Sequence, residues 1–134
     1  MSEENVEIVM RYLDTAREDP DAVWGIFDDD VEWDLAGIPS APDFPGISHG
    51  PDAVREFFRR WAGAFNDWGY ETEEVIDGPG VVAVRIHQWG RGKGSGIEVS
   101  GRFWQIWTMR DGKAVRVTHS EDRADALRAT GRSV

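Results

Sequence analysis

The sequence predicts an α+β fold in which three helices come first and an antiparallel β-sheet follows. Apolar residues recur at helical spacing only in about the first half of the chain, while the second half breaks into strand-like runs separated by glycine-rich turns. The pairing follows from turn length. The connections between the longer runs are short enough for hairpins, whereas parallel neighbours would need crossovers.

In chain order, Ser2 followed by Glu3 and Glu4 reads as a capped, acid-rich helix start, and Val6, Val9, Met10 and Leu13 continue it as an apolar stripe. Asp19-Pro20-Asp21 ends that helix. Asp21 is positioned to cap a short second helix through Trp24, Ile26 and Phe27, after which the acidic run Asp28 to Asp30 leads into an alternating strand, Val31 to Leu35. Pro39, Pro42 and Pro45 make 36–50 a long loop with Phe44 and Ile47 as apolar groups able to tuck inward. Pro51 suits the first turn of the longest helix, whose face carries Val54, Phe57, Phe58, Trp61 and Phe65, and which is expected to end near 66–69. Four strands are expected over roughly 70–76, 80–90, 97–109 and 114–122.

Composition bounds the function. A chain of 134 residues, 40% of them hydrophobic, fits one domain over 1–134 with a true core. Seven tryptophans point to an aromatic-lined cavity or a subunit face. A net charge of -10 with no basic stripe disfavours nucleic acid. The absence of cysteine removes disulfides, thiolate nucleophiles and Cys-ligated metals. No stretch approaches the roughly 20 apolar residues of a membrane span, and the acidic start lacks a signal-like apolar segment, so a cytoplasmic location is expected. The alternating glycines from Gly90 to Gly96 lie between strands rather than before a helix, which favours a flexible hairpin tip over a phosphate cradle.

The segments Asp30-Val31-Glu32-Trp33, His49-Gly50-Pro51-Asp52-Ala53-Val54-Arg55-Glu56-Phe57-Phe58 and Gly101 to Lys113, with the closing run Glu121 to Leu127, resemble the SnoaL-like branch of the nuclear-transport-factor-2-like superfamily. The resemblance covers nearly the whole chain. It implies a cone: three N-terminal helices packed on a strongly curved antiparallel sheet around a cavity. Its members include polyketide cyclases, ketosteroid isomerases, epoxide hydrolases, dehydratases and plain binding domains, so the chemistry stays open. Relative to the ketosteroid isomerases, Tyr12 matches the position of the oxyanion-hole tyrosine, but Trp33 and Trp104 stand where the two catalytic acids belong. That proton shuttle cannot be rebuilt here.

The same resemblance, together with dimerisation through the back of the sheet, favours the register that turns Trp104 inward along with Arg102, Ile106 and Thr108. Val117, His119 and Glu121 then line one neighbouring strand, and Arg85 and His87 the other. Hydrophobicity alone prefers the opposite parity, with Val82, Val84 and Ile86 inside. The chosen register makes His119 an acid–base group oriented by Glu121, with Arg85 and Tyr12 as polarising groups. Trp33, Trp104, His87, Trp61, Val117 and His49 form the ligand-binding wall. Phe103, Gln105, Trp107 and Met109 become a homodimer face. No cofactor is implied, and no HxH or HxxxH spacing supports a metal at His87, His119 and Glu121. The function implied is a small-molecule pocket protein, either an acid–base isomerase, cyclase or hydrolase for a hydrophobic carbonyl-containing ligand, or a non-catalytic binding or dimerisation module.

Overall fold

The computed structural model describes residues 2–19, 24–35 and 46–134. Helix α1 (Ser2–Ala16) is followed, beyond a 3₁₀ turn at Trp24–Ile26, by β1 (Phe27–Asp34), β2 (Ile47–His49) and α2 (Pro51–Gly63). Strands β3 (Phe65–Gly78), β4 (Val81–Gly92), β5 (Glu98–Arg110) and β6 (Lys113–Ser120) complete the sheet, and α3 (Arg123–Ala129) closes the chain. The six strands lie in the order β2-β1-β6-β5-β4-β3.

The expected meander of the three longer strands, β4 to β6, is present, and β3 extends it by a further hairpin with β4. Asp111 and Gly112 both adopt positive φ (52° and 77°), as a tight turn between right-twisted strands requires. The sheet is not purely antiparallel, because β1 pairs with β6 in parallel. The whole of the intervening chain serves as the crossover that such a pair needs.

The expectation of three N-terminal helices is corrected. The apolar run before Phe27 spans about one turn, too little to offset the cost of helix nucleation. Phe27 instead opens β1, its ring stacked on Trp107 at 5.9 Å in the core. Residues 20–23 of the expected second helix lie outside the described residues, as do 36–45 of the expected loop. Gly46 anchors the end of that loop by accepting a hydrogen bond from the Leu35 amide at 2.6 Å. Helix α2, the longest helix expected above, ends at Gly63, and Phe65, assigned above to its apolar face, starts β3.

Helices α1 and α2 cover the inner face of the sheet. Val9, Tyr12 and Leu13 of α1 and Val54 and Phe57 of α2 bury against Val82, Val84, Ile86, Trp107 and Val117. The third helix is C-terminal and lies on the other face, where Ala126 closes over Ile76, Ala83, Trp104 and Ile106. It is capped by the Asp122 carboxylate, which accepts from the Ala124 amide at 2.9 Å. Helices therefore occupy both faces, contrary to the expectation of N-terminal helices on the concave side alone.

Candidate functional site

The register decides which residues meet. Ile86 pairs with Phe103, Val84 with Gln105, and Gln105 with His119, and all of these point inward. Side chains alternate along a strand, so Arg85, His87, Arg102, Trp104 and Ile106 fall on the outer face. The inward parity is the one hydrophobicity preferred.

Between the inner face and the two helices lies a narrow cavity of about 60 Å³, or about 600 Å³ with its open mouth included. Helix α1 contributes Tyr12 and Leu13, and α2 contributes Phe57, Phe58 and Trp61. From the first strand come Trp33 and, just beyond it, Leu35. Trp68 and Tyr70, Ile86 and Gln88, and Phe103 and Gln105 line it from β3, β4 and β5, and His119 from β6. Among the described residues the wall holds no carboxylate, lysine, arginine, serine or threonine. Its polar atoms belong to two amides, two phenols, an imidazole and the indole N–H groups.

His119 is 5% exposed and fully engaged. One ring nitrogen, Nδ1, lies 2.8 Å from the carbonyl oxygen of Asp34 and must donate to it, which leaves Nε2 as an acceptor. The Gln105 amide nitrogen donates to Nε2 at 3.3 Å, and the Gln105 Oε1 accepts from the Trp107 indole at 3.2 Å. One proton arrangement satisfies this chain: a neutral imidazole carrying its hydrogen on Nδ1. Burial lowers the His119 pKa from 6.5 to about 4, with the Asp34 carbonyl and charge opposing only in part. The ring sits 4.9 Å from Trp33 and 5.8 Å from Phe103.

The tyrosines are neutral at any ordinary pH. Burial raises Tyr12 well above 10, and the Tyr70 phenol nearby adds to that. Burial likewise lifts Tyr70 to about 12, opposed by the Arg17 guanidinium, which lies over its ring at 5.0 Å. The Tyr70 hydroxyl donates to the Leu13 carbonyl at 2.6 Å, tying α1 to β3 and satisfying a carbonyl near the helix end.

The structure thus brings His119, Tyr12, Trp33 and Trp61 to one cavity. Val117 is buried beneath it in the core. His49 is exposed on β2, 3.9 Å from Glu32. Four expectations are corrected. Glu121 is exposed in the turn after β6 and does not orient His119, a task that falls to the Asp34 carbonyl. Arg85 and His87 are on the outer face, where Arg85 lies 3.8 Å from Glu73 and His87 bonds Glu71 and Ser100. Trp104 is under α3. Phe103, Gln105, Trp107 and Met109 pack or line the interior, so they cannot form a dimer face.

His87 and His119 on opposite faces rule out a shared metal. Among the described residues, Glu71, Glu73 and His87 do bring three ligand-type atoms within 4.8 Å of one another. Arg102 and Arg85 flank the same Glu73 carboxylate, and the Arg102 hydrogen bond at 2.9 Å holds its pKa below the usual range. Sequence reading missed Gln105 and Gln88. The Val82, Val84, Ile86 alternation, followed one step further along its strand, points to Gln88.

The chain belongs to the SnoaL-like domain family, whose sequence profile matches residues 9–117. No curated protein matches it. Among solved structures, TerC co-crystallised with polyporic acid is 22% identical with a TM-score of 0.75, over 96% of this chain and 98% of that one. A protein from a Jannaschia species, provisionally named a SnoaL-like polyketide cyclase, is 18% identical at a TM-score of 0.77, over 99% and 95%. A Catenulispora acidiphila protein of ketosteroid isomerase-like fold, in complex with trimethylamine, is 13% identical at 0.72, over 95% and 94%. At these identities the likeness establishes the fold. No described helix is long and apolar enough to cross a membrane.

Proposed function

We propose that this protein binds a flat, uncharged, hydrophobic small molecule carrying a carbonyl group, in the cavity between α1, α2 and the sheet. One observation carries the reading: the wall is aromatic and amide-bearing, with no charged group among the described residues. A buried charge on the ligand would find no counter-ion there. Relatives crystallised with polyporic acid and with trimethylamine support a small-molecule role. At about 60 Å³ the cavity has room for a handful of waters, well below the roughly 300 Å³ of an ordinary ligand site, so binding requires rings of its wall to move.

A catalytic role has one specific support, His119 in the cavity wall. Its low pKa and its two existing hydrogen bonds make it a weak base, and among the described residues no carboxylate lines the cavity, the charge of Asp34 acting on the ring without reversing the effect of burial. The binding role is therefore the one the geometry favours over an isomerase, cyclase or hydrolase. A single cytoplasmic domain over 1–134 and a homodimer through the outer face, where Trp89 is exposed, complete the proposal. Calorimetric titration with planar tricyclic ketones tests it. Micromolar binding that disappears when Phe57 is replaced by Arg supports the reading, and no heat up to millimolar ligand overturns it.

A further inference from the structure

The hydrogen-bonding atoms of the cavity wall are not balanced between donors and acceptors. Gln88 Oε1 accepts from the Trp68 indole at 3.3 Å, Gln105 Oε1 accepts from the Trp107 indole, and His119 Nε2 accepts from the Gln105 amide. Each side-chain acceptor of the wall apart from the phenols is thus engaged. The free capacity lies with donors. The Trp33 indole N–H is buried with no partner, the Gln88 amide nitrogen bonds no described residue, and Gln105 keeps a second N–H. Trp33 is 2% exposed, and an N–H left unmatched at that depth gains most from any acceptor that reaches it.

We propose that the pocket reads a hydrogen-bond acceptor on its ligand, taking a ketone or quinone oxygen in preference to the hydroxyl of the reduced analogue, through the Trp33 indole N–H supported by the Gln88 and Gln105 amides. This rests on the small-molecule reading above and adds a polarity to it. A carbonyl oxygen receives two N–H groups in the plane of its lone pairs. A hydroxyl in the same place brings a hydrogen that must itself find an acceptor. What remains for it is a second lone pair on an amide oxygen or a lone pair on a tyrosine hydroxyl. Sites built with one hydrogen-bonding sense discriminate strongly against a ligand of the other sense, because burial leaves a polar group without a partner.

Fluorene, fluorenone and fluorenol share one tricyclic frame and differ only in the group at the bridge carbon, so their dissociation constants separate shape from polarity. The expected result is that fluorenone binds at least about tenfold more tightly than either of the others. Trp33→Phe should bring fluorenone to within about threefold of fluorene while leaving fluorene itself unchanged. Should that variant not fold, Gln88→Met, at a half-buried position, carries the same test with a loss of about threefold for fluorenone alone. Equal binding of fluorene and fluorenone by the wild type overturns the donor reading and leaves the pocket standing. Tighter binding of fluorenol also overturns it. No binding of any of the three removes the small-molecule proposal and this inference with it.

Discussion

The buried imidazole of His119 should make the fold sensitive to mild acid. Its pKa falls from 6.5 in the open chain to about 4 in the folded protein. Between those values the unfolded chain binds a proton that the folded chain refuses, so stability rises with pH across that window and is lost as pH drops. Above about 6.5 the effect vanishes, and below about 4 it is complete at about 3 kcal/mol. At pH 5 the loss should already reach about 2 kcal/mol. The carboxylates held low by arginine partners, Glu73 and Glu74, act at lower pH, and comparison with a His119→Gln variant isolates the contribution of His119 from the rest of the chain. Urea unfolding followed by tryptophan fluorescence at pH 7.5 and 5.0, at fixed protein concentration, measures the difference. The wild type should lose about 2 kcal/mol more than His119→Gln over this interval, whatever the variant's own starting stability. Parallel losses in the two proteins would refute the assignment of a neutral, desolvated imidazole.

Of three further predictions, two concern residues whose placement was corrected and one the contact between β3 and the C-terminal turn. Trp104→Ala should cost about 3 to 5 kcal/mol by opening a hole beneath α3, yet leave ligand dissociation constants unchanged within about twofold, as read by thermal melting and calorimetry on the same sample. Glu121→Gln should leave the acid window of His119 where it is, because the orienting acceptor is the Asp34 carbonyl, and a shifted window in the urea experiment would restore Glu121 to the site. Gly78→Ala places a new Cβ 2.6 Å from the Thr130 carbonyl oxygen, so the C-terminal turn must shift; a loss of about 1 to 3 kcal/mol, with faster amide exchange in α3, is expected.

The strands from β3 to β6 were legible because glycine punctuation marks their ends, and hairpins follow from short turns. Boundaries at β4 and β5 came within about two residues for the same reason. The second helix was misread because one turn of apolar spacing cannot be told from a strand that begins with a buried aromatic ring, as Phe27 does. Register was the costly error. β5 carries aromatic or apolar residues at both parities, Phe103 and Trp107 on one side and Trp104 and Ile106 on the other, because α3 gives the outer face a small core of its own. Periodicity has no means of choosing between two buried faces. A weight placed on Val82, Val84 and Ile86 opposite the charged Arg85 and His87 would have settled it. The Gln105 bridge between Trp107 and His119 depends on cross-strand pairing and on a backbone carbonyl 85 residues away, neither of which sequence spacing encodes.

Seven tryptophans give seven indole N–H signals, and they are placed to report on the central claim directly. In a nitrogen–proton correlation spectrum titrated with fluorenone, the indole signals of Trp33, Trp61 and Trp68, which line the cavity, should move or broaden. Those of Trp89, exposed on the outer face, and of Trp104, under α3, should stay fixed. Movement confined to Trp89 and Trp104, or no movement at saturating ligand, would contradict the assignment of the inner aromatic cavity as the binding site.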